Sequence, residues 1–443
     1  MWRGVSLLAL VCGLLAVTGA MTGSARAATA PAGMFGVGDW AWPSAATLDR
    51  EAAHGLRTWR VPVSYGDVAS TQGALQWGGV DRLMSDLAAR HIEPLVVLAG
   101  CPTWQCPAGG PPKAEPALSG WLAFVTAAVR RYGTGGSFWA THPQAPAQPV
   151  QAWQVYNEVN GTDQWPNPNP AEYATFLAAT SAAIRGADPA AKVVLAGLAE
   201  KMTIWLRDYL PALYQQPGFA ASFDVMAVQG YAVAPLDVAG ILEETHAIMA
   251  ANGDGARPLW VTEMSWATGG PEHPFVVGED SQAANLRTSW DALIGCAPRW
   301  NLQRVYWFGW QDKPAATADG DYWGYHNGLM RLDGSEKPAL AAADEYTSGA
   351  PLPAGRGDAC PLDAVVPPPA PPAQIRQAVP RRGTAKHRPK ARCVRAAKKA
   401  SKKASKKARA KARARKRPRC AVAKKPARKR AKSRRVSARG PRH

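Results

Sequence analysis

The chain is short of the features that a membrane protein, a metalloprotein or a nucleotide-binding protein requires. Its one prominent apolar run, Val5 to Ala16, falls below the ~20 residues that a spanning helix needs. Histidine is scarce, at eight residues, and none sits at metal or nucleophile spacing; His54, His91 and His246 lie on helical stretches. There are seven cysteines, and the Cys-x4-Cys segment of Cys101 and Cys106 has no second ligand pair nearby, so no metal is expected. The Gly-rich phosphate fingerprint is incomplete: Gly36-Val37-Gly38 lacks a third glycine and runs into Trp-Ala-Trp-Pro. Acidic residues vanish from one region altogether. Residues 376–443 hold 31 Lys and Arg and no Asp or Glu, leaving 22 basic against 33 acidic residues before them. The net charge of +20 therefore describes an acidic body with a basic tail, and 47% apolar residues are enough for a sizeable core.

The N-terminus reads as a secretory leader over residues 1–27: Met1-Trp2-Arg3, the apolar run, then Ala25-Arg26-Ala27. Export makes a secreted location the expectation, with no transmembrane segment in the mature chain. In that compartment the cysteines after Cys12 favour disulfides, with Cys101–Cys106 and Cys296–Cys360 as candidate pairs. Residues 351–375 read as an extended Pro-rich linker, and 376–443 as a Lys/Arg/Ala-rich tail that self-repulsion keeps disordered. Such a tail binds polyanions through counterion release. Outside the cell the available partners are anionic cell-envelope polymers, which disfavours nucleic acid and suggests retention at the envelope.

Between 28 and 350 the pattern alternates short apolar runs with helical periodicity eight times over. The strand candidates are 34–40, 58–65, 93–100, 150–158, 192–200, 223–231, 259–266 and 303–310. Near-continuous apolar strands are those of a parallel sheet covered on both faces, and eight β-then-α units fit an α/β (β/α)8 TIM barrel. In that fold, polar residues at the carboxyl ends of strands build the site. Here those ends carry Asp39, Arg60, Asn157, Glu158, Glu200, Tyr231, Glu263 and Asp312. Eight tryptophans fall near the same rim: Trp40, Trp42, Trp104, Trp165, Trp266, Trp307, Trp310 and Trp323. Flat rings with a polar edge stack on sugar faces, so an oligo- or polysaccharide is the expected partner. Glu200 before Lys201 reads as a surface ion pair, and Asp312 before Lys313 as a loop cap. The sequon Asn160-Gly161-Thr162 is too close to Glu158 to carry a glycan without crowding it.

Trp153-Gln154-Val155-Tyr156-Asn157-Glu158 and Leu259-Trp260-Val261-Thr262-Glu263 resemble the paired signatures of the retaining glycoside hydrolases that carry catalytic glutamates on barrel strands four and seven. That superfamily includes cellulases, mannanases and β-xylosidases. Arg60 in Trp-Arg-Val-Pro, Tyr231 in Gln-Gly-Tyr, and the exit from Gly328 to Gly334 followed by Lys337-Pro338-Ala339 extend the resemblance over residues 34–348. One departure is Gln229, where the family usually has histidine.

The resemblance implies a secreted retaining glycosidase acting on a β-linked glycan or glycoside, with no cofactor. It makes Glu158 the acid/base, Glu263 the nucleophile and Arg60 the brace of the nucleophile, with Tyr231 beside it. Asn157 is expected to bond the sugar 2-hydroxyl. Trp307 is the expected platform under the reacting sugar and Trp310 the second choice, with Trp266, Trp40 and Trp165 also in the binding set. Two other readings stand beside it: a carbohydrate-binding pseudo-enzyme, and a polyanion-binding envelope protein acting through its tail.

Overall fold

The computed structural model describes residues 28–39, 41–315 and 320–364. The leader, residues 365–375 of the linker, the basic tail and Trp40 lie outside the described residues. All eight expected strands form. They are β1 (Phe35–Gly38), β2 (Thr58–Ser64), β3 (Glu93–Ala99), β4 (Ala152–Val155), a fifth strand in two pieces, β5 (Lys192–Val194) and β6 (Leu198–Ala199), then β7 (Met226–Gln229), β8 (Leu259–Met264) and β9 (Leu302–Phe308). Every pairing is parallel, in the order β5-β4-β3-β2-β1-β9-β8-β7-β6.

The two ends of that order close on themselves. Residues 192–199 pair with β4 on one side, Asn157 bridging Gly197, and with the β7 strand on the other, Val194 bridging Val225. The eight units thus form a closed barrel, which leaves no sheet edge. Gly36 allows β1 to lie close to β2, since a Cβ there would stand 2.4 Å from the Thr58 carbonyl oxygen.

Helices follow the strands and cover the outside: α1 (Ala45–Ala53), α2 (Tyr65–Val68), α3 (Gly78–Ala88), α4 (Ala117–Tyr132), α5 (Ser137–Thr141), α6 (Pro170–Ala187), α7 (Leu206–Tyr214), α8 (Asp237–Ala251), α9 (Glu279–Trp300) and α10 (Pro338–Thr347). Their starts are written locally. Ser44 accepts from the Thr47 N–H to cap α1, and Asn169 caps α6 ahead of Pro170. None of the helices among the described residues is long and apolar enough to cross a membrane.

Alternation along each strand separates two cores. Outward side chains such as Val61, Val96, Trp153, Val228, Val261 and Trp307 meet the helices in the large outer core. Inward ones, Leu95, Ala152, Val194, Val225, Ala227, Trp260 and Tyr306, fill the barrel itself.

Residues 351–364, expected to open the linker, carry specific contacts. Leu352 is buried and its N–H reaches the Ala28 carbonyl, while Arg356 pairs with Asp291 and Glu345. Cys360 is disulfide-bonded to Cys296 on α9. Specific anchors hold residues 351–364 against the barrel despite their proline content.

Candidate active site

At the carboxyl ends of the strands opens a cleft of about 870 Å³. Strand phase decides what reaches it. On β2, Thr58, Arg60 and Pro62 face inward in turn; on β3, Leu95, Val97 and Ala99 do so. The inward row of the β7 strand, Val225, Ala227 and Gln229, continues to Tyr231 at the cleft wall.

The two glutamate strands do not follow simple alternation. On β4, Gln154 faces inward and Val155 outward, yet Tyr156 also faces outward, against Trp121, Trp165 and Phe176. Tyr156 and Glu158 have φ of 68° and 43°, in the left-handed region that non-glycine residues rarely adopt. The kink turns two consecutive residues, Asn157 and Glu158, toward the cleft. It is held by the Tyr156 N–H to Leu98 (2.8 Å) and the Glu158 N–H to Gly197 (3.1 Å). Backbone strain of this kind is about 1–3 kcal/mol per residue and persists only where the surroundings enforce it.

On β8 the register shifts by one residue. Val261 pairs with Val305 and Met264 with Trp307, so two residues of β8 oppose the single Tyr306 of β9. After inward Trp260 and outward Val261, this bulge at Thr262 brings Glu263 to the inside and returns Met264 to the outer core.

The carboxylates sit in one polar network. Arg60, almost fully buried, donates to Glu263 at 2.7 Å, to Asn157 at 2.8 Å and to Gln154 at 2.9 Å. Tyr231 donates its hydroxyl to the other Glu263 oxygen at 3.0 Å. Burial, and then the charges of Glu263 and Glu158, raise the Tyr231 phenol well above its usual range, so it remains a donor. Gln229 donates to the Asn157 side-chain oxygen at 3.2 Å. With that oxygen held by two donors, the Asn157 amide N–H groups are left for the cleft. Gly197 makes the crowding possible: a Cβ there would lie 2.5 Å from the Thr262 hydroxyl and 3.3 Å from the Asn157 oxygen.

Glu158 is in a different electrostatic position. Burial pushes its carboxyl up to about 8, reinforced by the negative charge of Glu263 and, more weakly, by Asp163. Arg60 and Gln229 oppose the rise. One cleft thus holds a carboxyl kept protonated near neutral pH beside a carboxylate gripped by a guanidinium.

The tryptophans expected to form the platform lie elsewhere. Trp307 and Trp266 are fully buried in the outer core, in contact with each other, and Trp307 also meets Trp290 of α9. Trp165 is buried against Tyr156, Tyr173 and Phe176, and Trp310 is likewise inside. None of the four lines the cleft. The reason is phase: Tyr306 faces the barrel interior, where its hydroxyl meets Thr58, so Trp307 must face out and Phe308 faces the cleft.

The aromatic wall comes instead from loops. His273 and Phe275 after β8, and Tyr322 and Trp323 after β9, line the cleft beside Tyr231. Trp323 stacks on His273 with centroids 4.9 Å apart and meets Tyr231 edge-on at 5.9 Å. Buried Lys337 pairs with Asp312 at 2.7 Å and donates to Thr268, and Asp312 accepts the Gly328 N–H, which ties this loop to α10. Asp312 is therefore a loop anchor. Asp39 lies at the cleft floor, bound to Lys313 at 3.0 Å and to the Trp310 N–H. Glu200 and Lys201 pair at 3.3 Å on the rim. Asn160 of the sequon is buried and donates to Ala199 and Ile204. Among the described residues no cluster of His, Cys, Asp and Glu is arranged to hold a metal ion.

No protein-family model matches the chain, and no curated protein matches it in sequence. Solved structures do match in fold, glycoside hydrolases among them. A family 39 glycoside hydrolase from Bacteroides cellulosilyticus superposes with a TM-score of 0.56 at 16% identity, over 72% of this chain and 64% of that one. A monomeric β-xylosidase from Caulobacter crescentus gives 0.55 at 19% identity, over 72% and 69%. A GH5_18 enzyme from Bifidobacterium longum, solved in complex with Manβ1-4GlcNAc, gives 0.56 at 16% identity, over 72% and 79%. At these identities the similarity is one of fold.

Proposed function

We propose that the protein is a retaining glycosidase acting on a β-linked glycan, with Glu158 as acid/base and Glu263 as nucleophile. The observation that carries the reading is the unlike pair of carboxyls in one cleft. Double displacement needs a carboxylic acid to protonate the leaving oxygen and a carboxylate to attack the anomeric carbon. Glu158, raised to about 8, has the proton to give. Glu263, held by Arg60 and Tyr231, has its oxygens oriented and its charge compensated. The glycosidic C–O bond breaks as Glu263 bonds to carbon, and the alcohol leaves with the Glu158 proton. Glu158, now ionised, takes a proton from water, whose oxygen displaces Glu263 and restores both groups. The Asn157 amide faces the cleft as a donor for a sugar hydroxyl, a contact that strengthens as the oxocarbenium-like transition state develops.

The glycoside hydrolase structures of like fold support the same reading. The test is Glu263→Ala with azide. Hydrolysis should cease, and azide should restore turnover with a glycosyl azide of inverted configuration; undiminished hydrolysis by the variant refutes the assignment.

Export is inferred from the leader-like start and is supported by the disulfides Cys101–Cys106 and Cys296–Cys360. We assign the tail to retention on anionic envelope polymers. Deleting residues 376–443 should move the protein from the cell fraction to the medium; an unchanged distribution refutes the role.

A further inference from the structure

The rim of the cleft is divided by charge. Over β1, β2 and β3 three stretches carry none: residues 40–48, 68–80 and 94–112 contain no Asp, Glu, Lys or Arg, the charges of these connections being Asp39 at the cleft and Asp67, Lys113 and Glu115 beyond those stretches. Beyond β4 and the fifth strand the rim carries Asp163, Glu200, Lys201 and Arg207. Within those stretches stand two exposed indoles, Trp42 at 37% and Trp104 at 38%, where a buried position would be the favourable one for so large a ring.

Both indoles are built in place. Trp42 donates its N–H to the carbonyl of Pro62, itself a cleft residue, at 2.6 Å. Its ring packs on Gly79, where an added Cβ would lie 3.0 Å from the ring. Trp104 sits inside the loop closed by the Cys101–Cys106 disulfide and donates to the Ala69 carbonyl at 2.7 Å. Its neighbour Gln105 accepts from the Tyr65 hydroxyl at 2.6 Å. That loop begins two residues beyond Ala99, which lines the cleft. A ring whose polar edge is spent on the backbone offers its apolar face, and around it the segments supply Ser, Thr and Gln.

We propose that Trp42 and Trp104 are sugar-stacking subsites that extend the cleft over β1 to β3, and that the chain they take is a neutral β-linked polysaccharide. Stacking on a C–H face suits the indoles, and the uncharged stretches around them supply no cation for an anionic polymer. The β-linkage rests on the glycosidase reading, whereas binding by these two residues does not.

The experiment is native electrophoresis of the full-length protein through gels containing β-glucan, glucomannan or xylan. These polymers are uncharged, so the basic tail gains nothing from them electrostatically. At least one polymer should retard the protein. Trp42→Ala and Trp104→Ala should each weaken that retardation roughly 2- to 10-fold, and Trp104→Phe, which keeps a ring, should recover most of it. The KM on the retarding polymer should rise by the same factor with kcat within about twofold. No retardation by any of the three, or retardation untouched by both alanine variants, overturns the proposal. So does a parallel fall of kcat in the alanine and phenylalanine variants, which marks a folding role. Retardation lost in the alanine variants without hydrolysis of any glycan supports the subsites and removes the glycosidase reading. Hydrolysis with retardation independent of both tryptophans does the reverse.

Discussion

Replacing Arg60 with methionine keeps the apolar length of the side chain and removes its charge. The guanidinium makes three short hydrogen bonds, and its partner Glu263 retains only the Tyr231 hydroxyl once it is gone. The two side chains of the pair are 7% and 8% exposed, so solvent does little to replace the lost interaction. Removing one member of a buried pair costs about 3–5 kcal/mol, against about 0–1 kcal/mol for an exposed one. Urea unfolding of Arg60→Met should show a loss in the upper range. Adding Glu263→Gln removes the orphaned charge, and the double variant should regain about 2–3 kcal/mol, which a double-mutant cycle reports as coupling. If the double variant is no more stable than Arg60→Met, charge compensation is not what Arg60 supplies to this site. The same single variant should lose roughly 10²- to 10³-fold in kcat/KM, as when a preorganised donor is removed.

Activity should hold below about pH 8 and fall above it, because the useful form of Glu158 is the protonated one and burial raises the pH at which that proton is lost. A kcat/KM profile checks this, and a basic limb that survives Glu158→Gln refutes it. Phe308→Ala should raise KM roughly 2- to 10-fold through lost ring contact. Trp307→Ala should instead lower stability by about 3–5 kcal/mol as a core truncation; a KM effect confined to Trp307 would show the strand phase to be wrong.

The barrel was legible because each parallel strand is an apolar run bounded by helical periodicity, and all eight runs became strands or strand pairs. The two glutamates were legible through local motifs, since both stand at strand ends whatever the phase. The platform was not. Val305-Tyr306-Trp307-Phe308 is apolar on both faces, so composition gives no phase, and only the pairing of β9 with β1 and β8 shows that Trp307 faces the helices. Phe308 had one available signal: it lies two residues beyond Tyr306, whose hydroxyl needs a buried partner and finds Thr58. His273, Phe275 and Tyr322 had none, because their loops follow no period. The anchors of Arg356 and Cys360 were not legible either, because proline content says nothing about them.

The irregularities at Tyr156 and Thr262 behave like reading frames. At Thr262 the extra residue sets the face of Glu263, which regular alternation from inward Trp260 would turn into the helix layer; at Tyr156 the kink sets the face of Asn157, which regular alternation from inward Gln154 would turn outward. Straightening either strand with its sequence unchanged would leave both signatures intact and take Glu263 or Asn157 out of the cleft. A homologous chain that retains the Asn-Glu and Thr-Glu pairs can therefore be inert, and the kink and the bulge, rather than the motifs, distinguish it from an active one.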